Sequence, residues 1–191
     1  MTIQHSLITD PDIHEPKGVA AAAAGKVYVS NGTGSGSWQF PPASLYGEIY
    51  IDAGVTAQTL SAASAYAKLN PTAEWTAGIT SGLATDATNG YITLSQAGKY
   101  LVTFWVSFDT AAIAAGSKYN FRFALNDTST GRILTVDKKT AGAERLSVSF
   151  TSFISATAGQ SLSVRTAGDG TSSSTDITVV ESGLTVVRLS E

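Results

Sequence analysis

The sequence predicts an all-β protein, a sandwich or barrel of antiparallel strands, on three observations. In the stretch Ala97–Phe108, the residues Tyr100, Val102, Phe104, Val106 and Phe108 fall at every second position. That spacing places them on one face of a strand, which must be a core strand. Around it lie many short alternating segments, separated at nearly every break by turn chemistry. No segment carries a helical period longer than two turns. Lys99, Thr103 and Ser107 take the opposite face of the central strand, but Leu101 and Trp105 stand among them. Part of that second face is therefore expected to be covered, by a second sheet, a long loop or another copy of the chain.

Taken in order, residues 1–43 read differently from the rest. Four of the five prolines fall here (Pro11, Pro16, Pro41, Pro42), together with the Ala20–Ala24 run and the glycine-rich stretch Asn31–Ser37. Pro and Gly punctuate the segment too often for a long helix or a central strand. Five alanines make little more than one helical turn, which is marginal in water. The segment is predicted to be an extended arm ending in a Gly/Ser-rich linker, with one short strand at Lys26–Ser30. Trp38 and Phe40 are large apolar groups with nothing local to pack on, and such groups in an arm call for a partner surface.

From Ser44 to Glu191 the pattern is β throughout. Strands are predicted at Tyr46–Ile51, Val55–Leu60, Ala65–Leu69, Gly90–Leu94, Lys99–Phe108, Lys118–Leu125, Arg132–Val136, Arg145–Ile154, Ser161–Thr166, Asp176–Val180 and Leu184–Leu189. Turns are supplied by Asn70-Pro71, Asn89-Gly90, Ala115-Gly116, Asn126-Asp127, Thr130-Gly131, Ala158-Gly159 and Gly168-Asp169-Gly170. Tyr119, Phe121, Phe123 and Leu125 share one face against Lys118, Asn120 and Arg122, and Leu146, Val148 and Phe150 repeat the pattern. Phe153-Ile154 breaks the period, which predicts a bulge near Ser152.

Composition narrows the function. The chain has 191 residues and a net charge of −3, with a mass of 19.7 kDa, enough for one well-buried domain and an appendage. Charged residues make up 14%, well under the ~25% usual for globular proteins, so the surface is largely neutral and polar. Nucleic acid is an unsuitable partner, because no basic field meets a phosphate backbone. No run approaches the ~18 apolar residues that span a bilayer, and the acidic N-terminal stretch does not resemble a secretory leader. A membrane partner is not expected, and synthesis in the cytoplasm is. With no cysteine, stability must come from packing or assembly.

Chemistry is sparse, and no cofactor is expected. Asp10, Asp12, His14 and Glu15 could form a metal site in principle, but they lack the carboxylate count and turn glycine of a calcium loop and are interrupted by prolines. A serine nucleophile would have to recruit His5 or His14 from the arm, a poor platform for a preorganised site. Carboxylates that might pair for glycoside hydrolysis (Glu48, Asp52, Glu74, Asp109, Asp137) show no spacing that selects two of them. Asn31–Ser37 lacks the Gly-Lys-Ser/Thr ending of a phosphate loop. Trp38 and Trp75 are read as packing or docking residues in preference to sugar platforms. The chain is not expected to be an enzyme.

Two resemblances follow. The order Gly90-Tyr91-Ile92-Thr93-Leu94, Ala97-Gly98-Lys99-Tyr100 with its long aromatic strand, Tyr119–Asn126, Leu146–Ile154, Ala158–Val164 and a final Leu184–Leu189 strand resembles the jelly roll of the complement and tumour-necrosis-factor superfamily. Gly159-Gln160 stands where that family often has Gly-Asp. The resemblance implies an antiparallel jelly-roll β-sandwich over 44–191 and a homotrimer with an apolar axis, for which Leu101 and Trp105 are the candidate lining. Residues His5–Gly18, with the alanine tract, the Tyr-Val strand and the Gly/Ser stretch ending in Trp38, are similar to the N-termini of bacteriophage virion structural proteins. That implies a capsid decoration or head-fibre protein whose arm docks on the major capsid protein or another virion protein, through Ile8, Asp10, Pro11, Ile13, His14, Pro16, Trp38 and Phe40. The alternative is a tail-associated fibre whose distal loops contact host surface glycan or protein. The loop tips Thr110–Ser117, Asn126–Gly131 and Ala167–Thr175 are small and polar, which favours decoration. A secreted signalling ligand of the same superfamily is disfavoured by the lack of disulfides and of a leader or anchor.

Overall fold

Every core position of the central strand is sealed: Tyr100, Val102, Phe104 and Phe108 are fully buried and Val106 nearly so. The computed structural model describes residues 23–31, 33, 36–39, 44–60, 65–69, 74–110, 115–168 and 175–190. The chain divides into two units, Met1–Ala43 and Ser44–Glu191. In the first, β1 (Val27–Ser30) pairs antiparallel with β2 (Gly36–Gln39). Tyr28 stands across from Trp38, ring centres 5.4 Å apart and edge to face. Gly36 and Ser37, read from sequence as linker, are thus strand residues.

The second unit contains β3 (Tyr46–Asp52), β4 (Ala57–Leu60), β5 (Ala67–Lys68), β6 (Thr76–Ser81), β7 (Ala84–Asp86), β8 (Tyr91–Leu94), β9 (Gly98–Thr110), β10 (Lys118–Leu125), β11 (Thr128–Asp137), β12 (Arg145–Ala156), β13 (Gln160–Gly168) and β14 (Thr175–Ser190). They form two antiparallel sheets. The first runs β12-β9-β14-β3-β6 with β4 also on β14, and the second β11-β10-β13-β8-β7 with β5 also on β13. From β9 onward the chain crosses repeatedly between them: β9 in the first, β10 and β11 in the second, β12 back, β13 across and β14 back. This is the jelly-roll route, and among the described residues there is no helix.

The inward faces meet in an aromatic core. Phe104 and Phe108 of β9 pack on Phe121 of β10 at centroid distances of 5.8 and 5.5 Å, and Phe108 packs on Tyr119 at 5.2 Å. Phe150 of β12 joins Phe104 and Phe123 at 5.8 and 4.5 Å. Each such pair adds about 0.5–1.5 kcal/mol beyond its buried area, so the cluster ties the two sheets together. Trp75 is buried in this core at 6% exposure. Gly90, at φ +64°, lies so close to its indole that a Cβ would overlap the ring, which makes this turn specific to glycine.

Three expectations are corrected. Asp176–Val180 and Leu184–Leu189 are one strand, β14, which shifts register against β9 between Val179 and Glu181 and again between Arg188 and Ser190, and runs on through Gly183 with pairing to β9 on both sides of that glycine. The predicted bulge near Ser152 is absent: β12 pairs with β9 without interruption from Arg145–Asp109 to Ala156–Gly98. Ile154 keeps the inward phase, and Phe153 simply points outward, 71% exposed. Finally, the Asn126-Asp127 turn lies at the opposite end of β10 from Ser117 and Gly168, the described flanks of the other two predicted loop tips, because it closes the β10–β11 hairpin beside Ser161, at the end where β9 begins. That end also holds the start of β3, where Arg188 N–H donates to Leu45 O at 2.8 Å.

Candidate functional site

Outward residues of the first sheet align in rows set by strand register. Phe153, Leu101, Val187 and Tyr46 are successive cross-strand partners on β12, β9, β14 and β3. The next row is Thr151, Thr103, Thr185 and Glu48, with the Thr103 and Thr151 hydroxyls 3.0 Å apart. Beyond it come Ser149, Trp105, Gly183 and Tyr50. An apolar row, a hydroxyl row and an aromatic row thus cross the middle of the sheet with Glu48 as their one carboxylate.

Trp105 is placed by its neighbour's lack of a side chain. A Cβ on Gly183 would overlap the indole, so the ring reaches over β14 at this glycine, leaving Trp105 39% exposed. Ser182 Oγ donates to Trp105 O at 2.9 Å beneath it. A shallow groove beside the ring is lined by Ser107, Ser147, Ser149 and Glu181. A second, more apolar hollow is lined by Tyr46, Glu48, Thr185, Val187 and Ile79 of edge strand β6, and Ile79 is 73% exposed.

Further charge stands at one end of this face. There Arg145 makes a bidentate pair with Asp109, at 2.7 and 2.8 Å. Those hydrogen bonds hold the Asp109 carboxyl below its ordinary value. Beyond this pair, buried Lys138 staples the loops: its Nζ donates to Thr110 Oγ1 at 3.2 Å and to Gly142 O, and pairs with Glu144 at 3.7 Å. The Thr140 hydroxyl, followed by Lys138, lowers the Glu144 carboxyl.

Both residues singled out from sequence for an interface, Leu101 and Trp105, lie on this face. Sequence reasoning did not join Phe153, Val187, Tyr46, Tyr50 and Ile79 to them, because that alignment depends on cross-strand register. Of the arm residues, Trp38 is half-buried against Tyr28. Ile8, Asp10, Pro11, Ile13, His14, Pro16 and Phe40 lie outside the described residues, as do Asp12 and Glu15. Three of the carboxylates weighed for hydrolysis are engaged locally: Glu74 accepts from Val55 N, Thr56 N and Thr56 Oγ1, Asp109 from Arg145, and Asp137 pairs with Lys139 at 3.6 Å.

A two-sheet jelly roll with this strand order defines the class of fold. Among solved structures the chain is similar to that of Eiger TNF from S. frugiperda, with a TM-score of 0.51 and 14% identity over 78% of this chain and 94% of that one. It is also similar to the globular domain of zebrafish complement 1qA protein, with a TM-score of 0.48 and 12% identity over 77% of this chain and 98% of that one. The first likeness shows the fold, a jelly roll of the tumour-necrosis-factor type. No protein-family model matches the sequence, and no curated protein does.

Proposed function

We propose that the chain is a homotrimeric bacteriophage virion protein, a capsid decoration or head-fibre subunit. Its residues before Ser44 dock on the major capsid protein or another virion protein, and its jelly roll projects outward. One observation carries the trimer: the first sheet's outward face bears the row Phe153, Leu101, Val187, Tyr46 and the exposed ring of Trp105. Large apolar groups aligned on an open sheet face mark a contact surface, and a threefold arrangement buries the same face of every copy. The virion assignment is supported by the resemblance of the first forty residues to phage structural proteins. Its logic is multivalency: three arms on one rigid trimer raise the effective concentration at a capsid site, so each arm binds weakly while the whole holds tightly.

The test is co-sedimentation of the full chain, and of a version beginning at Ser44, with undecorated capsids and separately with tails. Capsid binding that is lost on truncation is the expected result. Binding to tails alone moves the protein to the fibre class, and pelleting with neither contradicts the virion assignment.

A further inference from the structure

The outward face of the second sheet carries a row of cations whose compensation is incomplete. Arg122 on β10 stands directly across from Arg165 on β13, and Arg165 directly across from Lys68 on β5. Like charges in such positions repel, and a chain with a net charge of −3 has gathered a quarter of its Lys and Arg into one row. Among the described residues their partners are few. The Arg122 guanidinium lies 5.1 Å from the centre of the Tyr66 ring and donates a long bond, 3.4 Å, to Gly131 O. Arg165 donates to Tyr66 O at 2.9 Å and pairs with Asp127 at 2.7 Å. Lys68 donates to Asn89 O at 2.9 Å and lies 5.6 Å over the ring of Tyr91. Nearby Asp86 is held by Asn89 through two bonds of 2.9 Å.

Three donors of this patch are buried and have no hydrogen-bond partner among the described residues: Arg122 Nε, Arg165 Nε and Ser163 Oγ. Ser163 precedes Arg165 by two residues on the same face of β13 and stands across from buried Ala124. Leaving such donors unsatisfied is costly, and an acceptor that reaches several of them removes the cost. Asp127 shows the kind of acceptor that fits. It sits in a turn where Asn126 and Asp127 both have positive φ, 47° and 63°, and its side chain is 64% exposed. The bond from Arg165, with the charges of Arg165 and Lys68, keeps it ionised below its ordinary range.

We propose that Arg122, Arg165, Lys68 and Ser163 bind the carboxylate or sulfate of an acidic saccharide, with the rings of Tyr66 and Tyr91 bordering the sugar. Paired guanidinium forks match an oxyanion with parallel N–H donors. Aromatic rings beside a few placed polar groups give a sugar apolar surface and orientation together. In the free protein Asp127 occupies part of the site, and the incoming anion competes with it. The site lies on the sheet away from the proposed trimer surface and does not depend on that reading.

Titration calorimetry on the full chain tests this with a uronate tetrasaccharide, a sulfated tetrasaccharide, an uncharged tetrasaccharide and inorganic sulfate. At least one acidic saccharide is expected to bind, at least tenfold more tightly than inorganic sulfate, and the uncharged one not at all. Arg165→Gln should weaken binding roughly tenfold or more, the scale of a lost charged hydrogen bond. Lys68→Gln, whose side chain lies on the outward face, should weaken it in the same direction and serves if Arg165→Gln does not fold. Asp127→Asn keeps the turn and removes the competitor, so it should strengthen binding several-fold. Failure of both acidic saccharides to bind, or binding unmoved by Lys68→Gln and Asp127→Asn, overturns the proposal. Inorganic sulfate binding as tightly as the saccharides reduces the site to an ion site and overturns the saccharide assignment.

Discussion

The two sheets share one core but present different outward faces. The first carries an apolar row, a hydroxyl row and an aromatic row, with its ion pair at one end. The second carries Arg122, Arg165 and Lys68 in line across its middle. Inward positions of both are governed by the same demand, to fill the sandwich with aromatic and branched side chains. Outward positions are free of that demand, so their chemistry reports what each face meets. A face of apolar and hydroxyl groups tolerates burial against another copy, because little charge must be desolvated. A row of cations does not, and belongs in water or against an anion.

The sharpest way to break this comparison is to charge each side of β9 in turn. Tyr100→Asp places a carboxylate at a fully buried position, and should cost more than about 4 kcal/mol and abolish the cooperative thermal transition seen by circular dichroism. Trp105→Asp changes the opposite face, so the jelly roll should still fold while its association is lost in light scattering. If both variants unfold alike, the two faces are not functionally distinct.

A smaller effect is expected from Gly183→Ala. Its methyl group would displace the indole of Trp105, and overpacking of this kind costs roughly 1–3 kcal/mol. The loss should appear as a lowered melting midpoint and a weakened assembly together. The smallest effect concerns the end of the face. Asp109 has its pKa depressed by Arg145, so its contribution is present above the ordinary aspartate value of 3.8 and is lost as pH falls through the lowered one. Melting curves of the natural chain and of Asp109→Asn should differ slightly at neutral pH and converge in acid. Because the pair is about half exposed, added salt should shrink the difference at neutral pH.

Much of the jelly roll was legible because strong alternation marks its long strands. The β9 phase alone separated the buried Tyr100, Val102, Phe104, Val106 and Phe108 from Leu101 and Trp105. Strands β6 and β7 escaped because Thr-Ala-Gly-Ile-Thr-Ser and Ala-Thr-Asp carry few bulky residues and are held by pairing to β3 and β8. The predicted break in β14, between Val180 and Leu184, falls at Gly183, which Trp105 from another strand covers. The candidate face was half legible for the same reason. Leu101 and Trp105 sit within one strand, but Phe153, Val187, Tyr46 and Tyr50 join them only through register, which a single sequence does not display. The cation row was hidden likewise: Lys68, Arg122 and Arg165 are remote in sequence and adjacent only across β5, β10 and β13.

The central claim is that the first sheet's outward face is covered by further copies of the chain. The measurement that tests it most directly is the mass of the full chain in solution by light scattering at micromolar concentration, beside that of Trp105→Asp. The account predicts three times the chain mass of 19.7 kDa for the natural chain and a single chain mass for the variant. A natural chain that scatters as a monomer would contradict it.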